Sequence, residues 1–324
     1  MLLFNSNIKK EYRKGLRPFV QLYSKVLISI FFISTALNTS AQDIEPRRWS
    51  SLPLKSDIIG AGYIYSFGDV LFDPILQAED VSVNVSTLIL SYIKPFKLGK
   101  KLARVDLTLP YNFMLFEGKL SGNPASVYRN GFGDSRLRFS INFSGPPPGN
   151  ASELQAYYKA HPVYTTFGAS VAITFPTGQY FNEKLINIGQ NQIIIRPQIG
   201  MVHNWGDWSY ELTGSVFFFS NNNNFFGDTT RKQDPIFAFQ THLIKRFNPK
   251  MWASISLSYG IGGESIVNNV SSADLRTNLL SAGSVGYKIS KLQSIKLVYL
   301  NSATLKEIGS NTHSFIFGWS HLFL

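Results

Sequence analysis

Cysteine is absent from this chain of 324 residues, which excludes disulfide bridges, a thiol nucleophile and a lipid anchor on an N-terminal cysteine. Charged residues are scarce as well: they make up 16% of the chain, against roughly 25% in soluble domains. No apolar run reaches the ~18 residues that a membrane-spanning helix needs. The composition is therefore unlike that of an ordinary soluble domain, and it gives no support to helical membrane spans.

Common catalytic and metal-binding motifs are also missing. There is no HExxH, no Walker loop and no glycine-rich nucleotide turn. The histidines show no metal-ligand spacing; they are His161, His203, His242, His313 and His321. We therefore expect no enzyme activity, no metal and no cofactor.

The N-terminus has the pattern of a secretory signal peptide. A basic region is followed by an apolar core that starts at Val26, and the small residues Thr39, Ser40 and Ala41 precede Gln42. Residues 1–41 carry six Lys or Arg and one Glu, so their removal lowers the net charge from +11 to +6. Much of the basic character thus belongs to targeting, and we expect no nucleic-acid partner.

Downstream of residue 56, apolar and polar residues alternate with a period of two. The run from Arg136 to Phe143 is apolar at every second position, and the run from Met251 to Tyr259 places three serines on one face. This period predicts β-strands with one apolar and one polar face. The predicted strands lie near 57–66, 81–94, 101–116, 133–144, 165–175, 190–203, 208–220, 235–247, 251–262, 276–289, 292–302 and 311–324.

Long and short connections alternate between these strands. Short turns occur near 96–100, 204–207, 247–250 and 290–291, whereas long polar loops occur near 67–80, 117–132, 176–190, 221–234, 263–275 and 303–310. This alternation is typical of a transmembrane β-barrel, whose turns are short on one side of the membrane and long on the other. We therefore predict an all-β, up-and-down antiparallel barrel of about 12 strands, with both termini in the periplasm.

One connection departs from the alternation. Residues 145–164 stand where a short turn is due, and they contain a segment, 154–158, that could form a short helix. We interpret them as a periplasmic insertion; a miscounted strand is the alternative. Beside the short turns lie Trp205, Trp208 and Trp252, which indicate an aromatic girdle at the membrane surface, unless they are ordinary hairpin aromatics.

The predicted organisation is a signal peptide (1–41), a lead that stays in the periplasm (42–56) and a barrel (57–324). The lead is too short for a plug domain. The last strand is rich in aromatic residues and resembles the sorting signal of outer-membrane proteins, with Phe323 in the penultimate position. The expected partners are outer-membrane lipid, the outer-membrane assembly machinery and a small-molecule solute, and the expected location is the outer membrane of a Gram-negative bacterium.

Several motifs resemble those of the outer-membrane barrel family of MetA-pathway phenol-degradation transporters. They are the segments 131–134, 175–180, 185–191, 196–200, 221–224, 233–235 and 240–242. The resemblance covers most of 57–324 and implies an outer-membrane barrel that passes small hydrophobic or aromatic compounds. It supplies no set of catalytic residues.

Polar residues on the predicted inner face are candidates for the solute path. A charged side chain that faces lipid costs about 2–4 kcal/mol for Arg or Lys, so these residues should point inward. They are Arg104, Asp106, Arg136, Arg138, Arg196, Gln198, Glu211, Gln240, His242 and Arg246. They would either line a path biased toward anions or pair with one another and fill the lumen.

The loop between the fifth and sixth predicted strands carries a second set of candidates. Its side chains could bind a ligand or could stabilise the loop backbone. The residues are Pro176, Gly178, Tyr180, Asn187, Gly189 and Asn191.

The function predicted from these features is passive passage of small hydrophobic or aromatic compounds, anionic ones among them. Two alternatives stay open. Ser254, Ser256 and Ser258 with His242 could form a lipid-modifying site in the barrel, which would need an orienting group at the same height. The barrel could also be a structural protein that transports nothing.

Overall fold

The computed structural model describes residues 44–71, 78–184 and 186–323. The predicted signal peptide, residues 1–41, lies outside them. The elements in chain order are β1 Asp57–Leu71, β2 Ala78–Leu98, β3 Lys101–Leu120, β4 Asn123–Phe132, β5 Arg136–Asn142, α1 Ala151–Ala160, β6 Val163–Thr174, β7 Ile194–Trp205, β8 Trp208–Phe219, β9 Asn222–Phe225, β10 Thr229–Gln233, β11 Ile236–Arg246, β12 Met251–Gly262, β13 Ser265–Val267, β14 Val270–Ser271, β15 Arg276–Lys288, β16 Gln293–Thr304 and β17 Gly309–Phe323.

Twelve of the strands form a closed antiparallel barrel. Their order around the wall is β1-β2-β3-β5-β6-β7-β8-β11-β12-β15-β16-β17, and β1 pairs with both β2 and β17. The closing seam aligns Asp57 with Phe323. Each strand overlaps a predicted one, so the prediction of a twelve-stranded up-and-down barrel is confirmed.

Side chains alternate between an apolar outside and a polar inside. Along β8, Ser209, Glu211 and Thr213 are buried, whereas Trp208 and Tyr210 are exposed. Apolar residues dominate the outer face, and Ile199 and Ile255 are each 70% exposed there. A continuous apolar belt of this kind belongs in lipid and would associate in water.

One end of the wall, the short-turn end, carries the two-residue and four-residue turns, together with the start of β1 and the end of β17. At the opposite, long-loop end, three predicted loops contain strands. Residues 117–132 continue the hairpin through β3 and β4, which turn at Ser121 and Gly122; both have positive φ, as a tight hairpin turn requires. Segments 221–234 and 263–275 form a separate four-stranded sheet, β14-β13-β10-β9.

The predicted short helix is confirmed as α1, in the connection from β5 to β6 at the short-turn end. Asn150 caps its N-terminus by accepting from the backbone N–H groups of Ser152 and Glu153, and the Glu153 side chain accepts from the N–H of Asn150. Within the described part of the chain, no helix has the length and apolar character that crossing a bilayer requires.

Candidate functional site

The predicted lumen residues all lie on the inward-facing positions of their strands. Arg104, Arg136 and Arg246 are half-buried, and the others are buried: Asp106, Arg138, Arg196, Gln198, Glu211, Gln240 and His242. Period-two alternation thus placed their side chains correctly, although their part in a solute path stays a prediction.

The main departure from expectation concerns the lead before β1. The sequence predicts a lead that stays in the periplasm and is too short for a plug domain. Instead, residues 44–50, here called the plug segment, fold inside the wall and contact it on several strands. A short segment suffices because a twelve-stranded barrel is narrow enough for side chains to fill much of its bore.

Two ion-pair groups hold the plug segment. Glu45 accepts from Arg138 Nη1 and Nη2 at 2.5 and 2.8 Å, and Arg136 Nη2 lies 3.6 Å from it. Burial would raise the pKa of the Glu45 carboxyl, but the attraction and hydrogen bonding of Arg138, with further attraction from Arg136 and Arg196, hold that pKa well below its ordinary value.

Arg48 makes the second group. Its Nη1 donates to Asp106 Oδ2 at 3.0 Å and its Nη2 to Ser140 Oγ at 2.5 Å, while Arg104 Nε lies 3.2 Å from Asp106 Oδ1. Glu45 and Arg48 of the plug segment therefore each meet an opposite charge on the wall, as buried charges require.

Glu211 receives the backbone of the plug segment. Its Oε2 accepts from the N–H of Arg47 at 2.8 Å, and its Oε1 accepts from the N–H of Trp49 at 3.1 Å. The residue is completely buried. Both carboxylate oxygens are thus used to hold main chain.

The Trp49 indole lies against the inner wall between β6 and β8. Its Nε1 donates to Thr213 Oγ1 at 2.8 Å, and it packs on Gly168 and Gly200, where no side chain stands in the way. We call Gly168, Gly200 and Thr213 the socket.

Two of the three tryptophans of the predicted girdle lie on the outer face of the barrel. Trp205 and Trp208 pair across the β7–β8 turn and are exposed on the outer face. Trp252 points inward instead, with the Arg47 guanidinium carbon 5.3 Å from its ring centroid. Gly286, its partner on β15, leaves room for this ring.

The α1 insertion packs beside the chain that follows the plug segment. Leu54 N–H donates to the Gly149 carbonyl at 2.8 Å, and Leu154 of α1 is buried. The insertion therefore supports the lead where it leaves the barrel.

At the long-loop end, the predicted loop residues mainly hold the loop's own shape. Asp134 accepts from the N–H groups of Gly178 and Gln190, both at 2.8 Å, so that it pins the two ends of the loop together. Burial raises the pKa of Asp134, and these two bonds oppose the rise. Gly178 and Gly189 touch backbone to backbone, where a Cβ on either would lie 2.8 Å from the other.

The other loop candidates have similar roles. The Asn187 side chain accepts from Phe181 N–H and donates to two carbonyls of the same loop. Asn191, in the left-handed region at φ 52°, donates to Asn222, whose Nδ2 in turn donates to the Tyr180 hydroxyl. Pro176 is exposed at the start of the loop. These contacts favour the stabilising interpretation over ligand binding.

The same loop covers the long-loop end of the barrel. Ile186 is buried against Val70, Val83 and Phe116 on the inner faces of β1, β2 and β3. Arg129 Nε donates to the Ile186 carbonyl at 3.1 Å. The loop thus packs over the inner faces of β1 to β3 at the long-loop end, and the plug segment occupies part of the interior.

The hydrogen-bond ladder of the wall is interrupted between β7 and β8. The ladder pairs Ile195 with Phe218 and resumes at Gln198 with Ser215, so Arg196 and Pro197 are left out of it. Proline has no N–H to donate, which removes a ladder bond at this position.

A groove of about 680 Å³ lies over this interruption, on the outer face. We call it the wall groove. Most of its lining is apolar and outward-facing, including Phe139, Val171 and Phe239, and the buried residues Gln198 and Ser215 border it. The wall groove is thus an apolar hollow of the outer face that lies beside the interrupted ladder.

Sequence reasoning missed several residues here. The plug segment has no periodicity to reveal its position, and Pro197 gave no sign of a groove. Lys296 could have been found, because it follows the inward alternation of Val298 and Ser302 on β16.

His242 and Ser256 are hydrogen-bonded, with Nδ1 and Oγ 2.8 Å apart. Glu211 stands beside His242 in register on β8, but its oxygens bind the plug segment. Each of the three side chains is at most 1% exposed. The contact matches a structural histidine in the interior. Among the described residues, no three or more His, Asp or Glu side chains form a group that could hold a metal ion.

Comparison with known proteins places this architecture. The chain is similar to an outer-membrane channel from Pseudomonas putida F1, with 19% identity, 87% of this chain and 100% of that chain covered, and a TM-score of 0.73. It is also similar to the transport unit of the autotransporter AIDA-I from Escherichia coli, with 9% identity, 92% and 98% covered, and a TM-score of 0.51. No curated protein sequence matches the chain.

These identities show the fold, which is that of Gram-negative outer-membrane barrels. The family evidence is separate and covers well over half of the chain: residues 55–304 match the family described as "Putative MetA-pathway of phenol degradation". The chain belongs to that family of outer-membrane barrels.

Proposed function

We propose that the chain is a passive conduit in the outer membrane for small, poorly water-soluble organic molecules. The observation that carries the proposal is the wall groove, an apolar hollow on the outer face that lies over the interrupted β7–β8 ladder beside the buried Gln198 and Ser215. A solute dissolved in the lipid would reach the interior through this interruption, while the plug segment and the covering loop block the axial route.

The chemistry of the wall groove suits a molecule with an apolar body and a small polar group. Its aromatic and aliphatic lining would take the body out of water at about 25 cal/mol per Å² of apolar area buried. Gln198 and Ser170, whose Oγ donates to Gln198 Oε1 at 3.0 Å, offer amide and hydroxyl groups at the inner side. Small-molecule sites usually combine a mostly apolar lining with a few polar groups in this way.

A preference for anions is a finer part of the proposal. With the plug segment in place, Glu45 offsets Arg136 and Arg138, and Asp106 is shared between Arg48 and Arg104. Displacement of the plug segment would remove Glu45 and Arg48 together and expose the wall arginines to a passing solute. An anion preference should therefore appear only in the opened barrel.

The decisive experiment closes the wall groove. In proteoliposomes, uptake of a membrane-partitioned aromatic such as naphthalene should exceed that of empty vesicles. Because the chain has no cysteine, Pro197→Cys with Val216→Cys introduces a single pair at positions that the interrupted ladder would align. Oxidation should reduce uptake, and a reductant should restore it.

Pro110→Ala, in β3 and away from the wall groove, is the matched control for losing a strand proline. If the oxidised barrel, verified as cross-linked, transports as fast as the reduced one, the wall route is wrong. If vesicles that contain the native protein take up naphthalene no faster than empty vesicles, the conduit itself is wrong and a structural barrel is the better description.

A further inference from the structure

The socket is a row of three inward positions on neighbouring strands. Gly168 of β6 aligns with Gly200 of β7, and Gly200 aligns with Thr213 of β8. A Cβ on Gly168 would lie 2.5 Å from Trp49 Cε3, and one on Gly200 would lie 2.2 Å from Trp49 Nε1. Real side-chain carbons do not approach so closely, so the ring occupies the space that two wall side chains would need.

The contacts of the socket define what it recognises. The flat ring lies on backbone, and it is 1% exposed. Its one polar hydrogen, on Nε1, is accepted by Thr213 Oγ1 at 2.8 Å. The Arg48 guanidinium carbon stands 5.6 Å from the ring centroid. Together these contacts select a planar aromatic ring that carries one hydrogen-bond donor.

The occupant comes from a segment that is not part of the sheet. Trp49 belongs to the plug segment, which contacts the wall through ion pairs and hydrogen bonds and joins β1 only through residues 51–56. Two wall positions at this row are glycine, and the ring that fills the space beside them comes from the plug segment and not from the wall.

We propose that the socket is a binding subsite for planar aromatic molecules with one O–H or N–H donor, such as phenols and indoles, and that Trp49 occupies it as a tethered stand-in. The subsite deepens the proposed function and rests on it, since only a solute inside the barrel would meet the socket. Displacement of Trp49 by such a solute would also loosen the plug segment.

The test vacates the socket and refills it. Trp49→Ala in detergent should unfold at a lower temperature than the native protein. Added indole or phenol should raise the Tm of the variant in a saturable way, as binding to the folded state requires, and should leave the native protein nearly unchanged. Filling the socket in the double variant Trp49→Ala with Gly200→Ala should abolish the effect.

Ligand chemistry supplies a second criterion. Toluene and 1-methylindole keep the ring but lack the donor, and should bind the Trp49→Ala variant about fivefold to tenfold more weakly than phenol and indole. Thr213→Val in the same background should remove that difference. If Trp49→Ala does not refold, Trp49→Val keeps an apolar side chain while leaving most of the ring volume empty, and the same titrations apply.

No rescue of a folded variant, or equal rescue of the Gly200→Ala double variant, would overturn the subsite. Because the titration measures equilibrium binding, its failure is distinct from failure of transport. If ligand raises the Tm of the variant but the native protein does not increase uptake, the subsite stands and the conduit is wrong. If the native protein increases uptake but ligand does not raise the Tm of the variant, only the subsite is wrong.

Discussion

Glu45 and Arg138 form a bidentate ion pair inside the barrel, with Arg138 Nη1 and Nη2 donating to the two carboxylate oxygens at 2.5 and 2.8 Å. One partner belongs to the plug segment and the other to the wall strand β5. The pair therefore links the wall to a segment that is not part of the sheet. The first predictions follow from it.

Glu45→Gln should loosen the plug segment and leave the barrel folded. Glu45 is half-buried and Arg138 is buried. The free energy lost when the pair is broken should therefore fall between the ~0–1 kcal/mol of an exposed pair and the ~3–5 kcal/mol of a buried one. Planar-bilayer conductance should rise several-fold. Asp57→Asn, which breaks the outward-facing pair with Lys94, is the matched control and should leave conductance as it is.

The same pair predicts a response to acid. The pKa of Glu45 is lower in the folded protein than its ordinary value of 4.5, so its contribution is complete above that value and is lost as the pH falls through the folded pKa. Conductance should therefore be flat from pH 7 to about 4.5 and rise at lower pH. A Glu45→Gln barrel should show no such step, and an identical step in that variant would assign the response to another group.

Charge reversal of the wall partners should both open the barrel and change its ion preference. Arg136→Glu with Arg138→Glu places two carboxylates beside Glu45, which repels the plug segment. The opened barrel should favour cations, whereas Glu45→Gln, opened with its arginines intact, should favour anions. Reversal potentials in a salt gradient measure the difference. If both variants conduct and their preferences agree, these arginines do not face the path.

Asp134→Asn should release the covering loop. The carboxylate accepts from Gly178 and Gln190 at the two ends of that loop, and an amide that turns its NH₂ toward either donor leaves a bond unmade, at a cost of about 1–3 kcal/mol. Hydrogen exchange and proteolysis should increase across residues 176–190. Asp228→Asn, which alters an exposed contact with Asn182, is the control. Unchanged protection of the loop in Asp134→Asn would show that other contacts hold it.

Much of the wall could be predicted from the sequence because a strand repeats every two residues. Glu211 and Gln240 on the inner face and Ile199 on the outer face follow directly from that period. The hairpin extension at 123–132 was missed because Pro124 and the surrounding polar residues are typical of loops. The strand forms because it pairs with the continuation of β3, and this pairing cannot be predicted from the local sequence.

The plug segment could not be predicted from local pattern. Nothing in the sequence around Glu45 or Trp49 indicates that the first would meet Arg138 or the second would meet Gly168 and Gly200, because these contacts join distant parts of the chain. For the loop candidates the sequence left two interpretations open, ligand binding and stabilisation of the loop backbone. The Asn187 side chain bonds to the backbone of its own loop, which favours the second.

The seam between β1 and β17 has a consequence for the order of folding. Asp57 aligns with Phe323, so the wall stays open until the last strand of the barrel is available, and the slowest contact to form joins the two most distant strands. Until then the edges of β1 and β17 are unpaired and open to pairing with other strands. An unclosed sheet also gives the plug segment sideways access to its place on β3 to β8. We expect a chain cut before β17 to assemble poorly, and to aggregate, even though every residue that touches the plug segment is present.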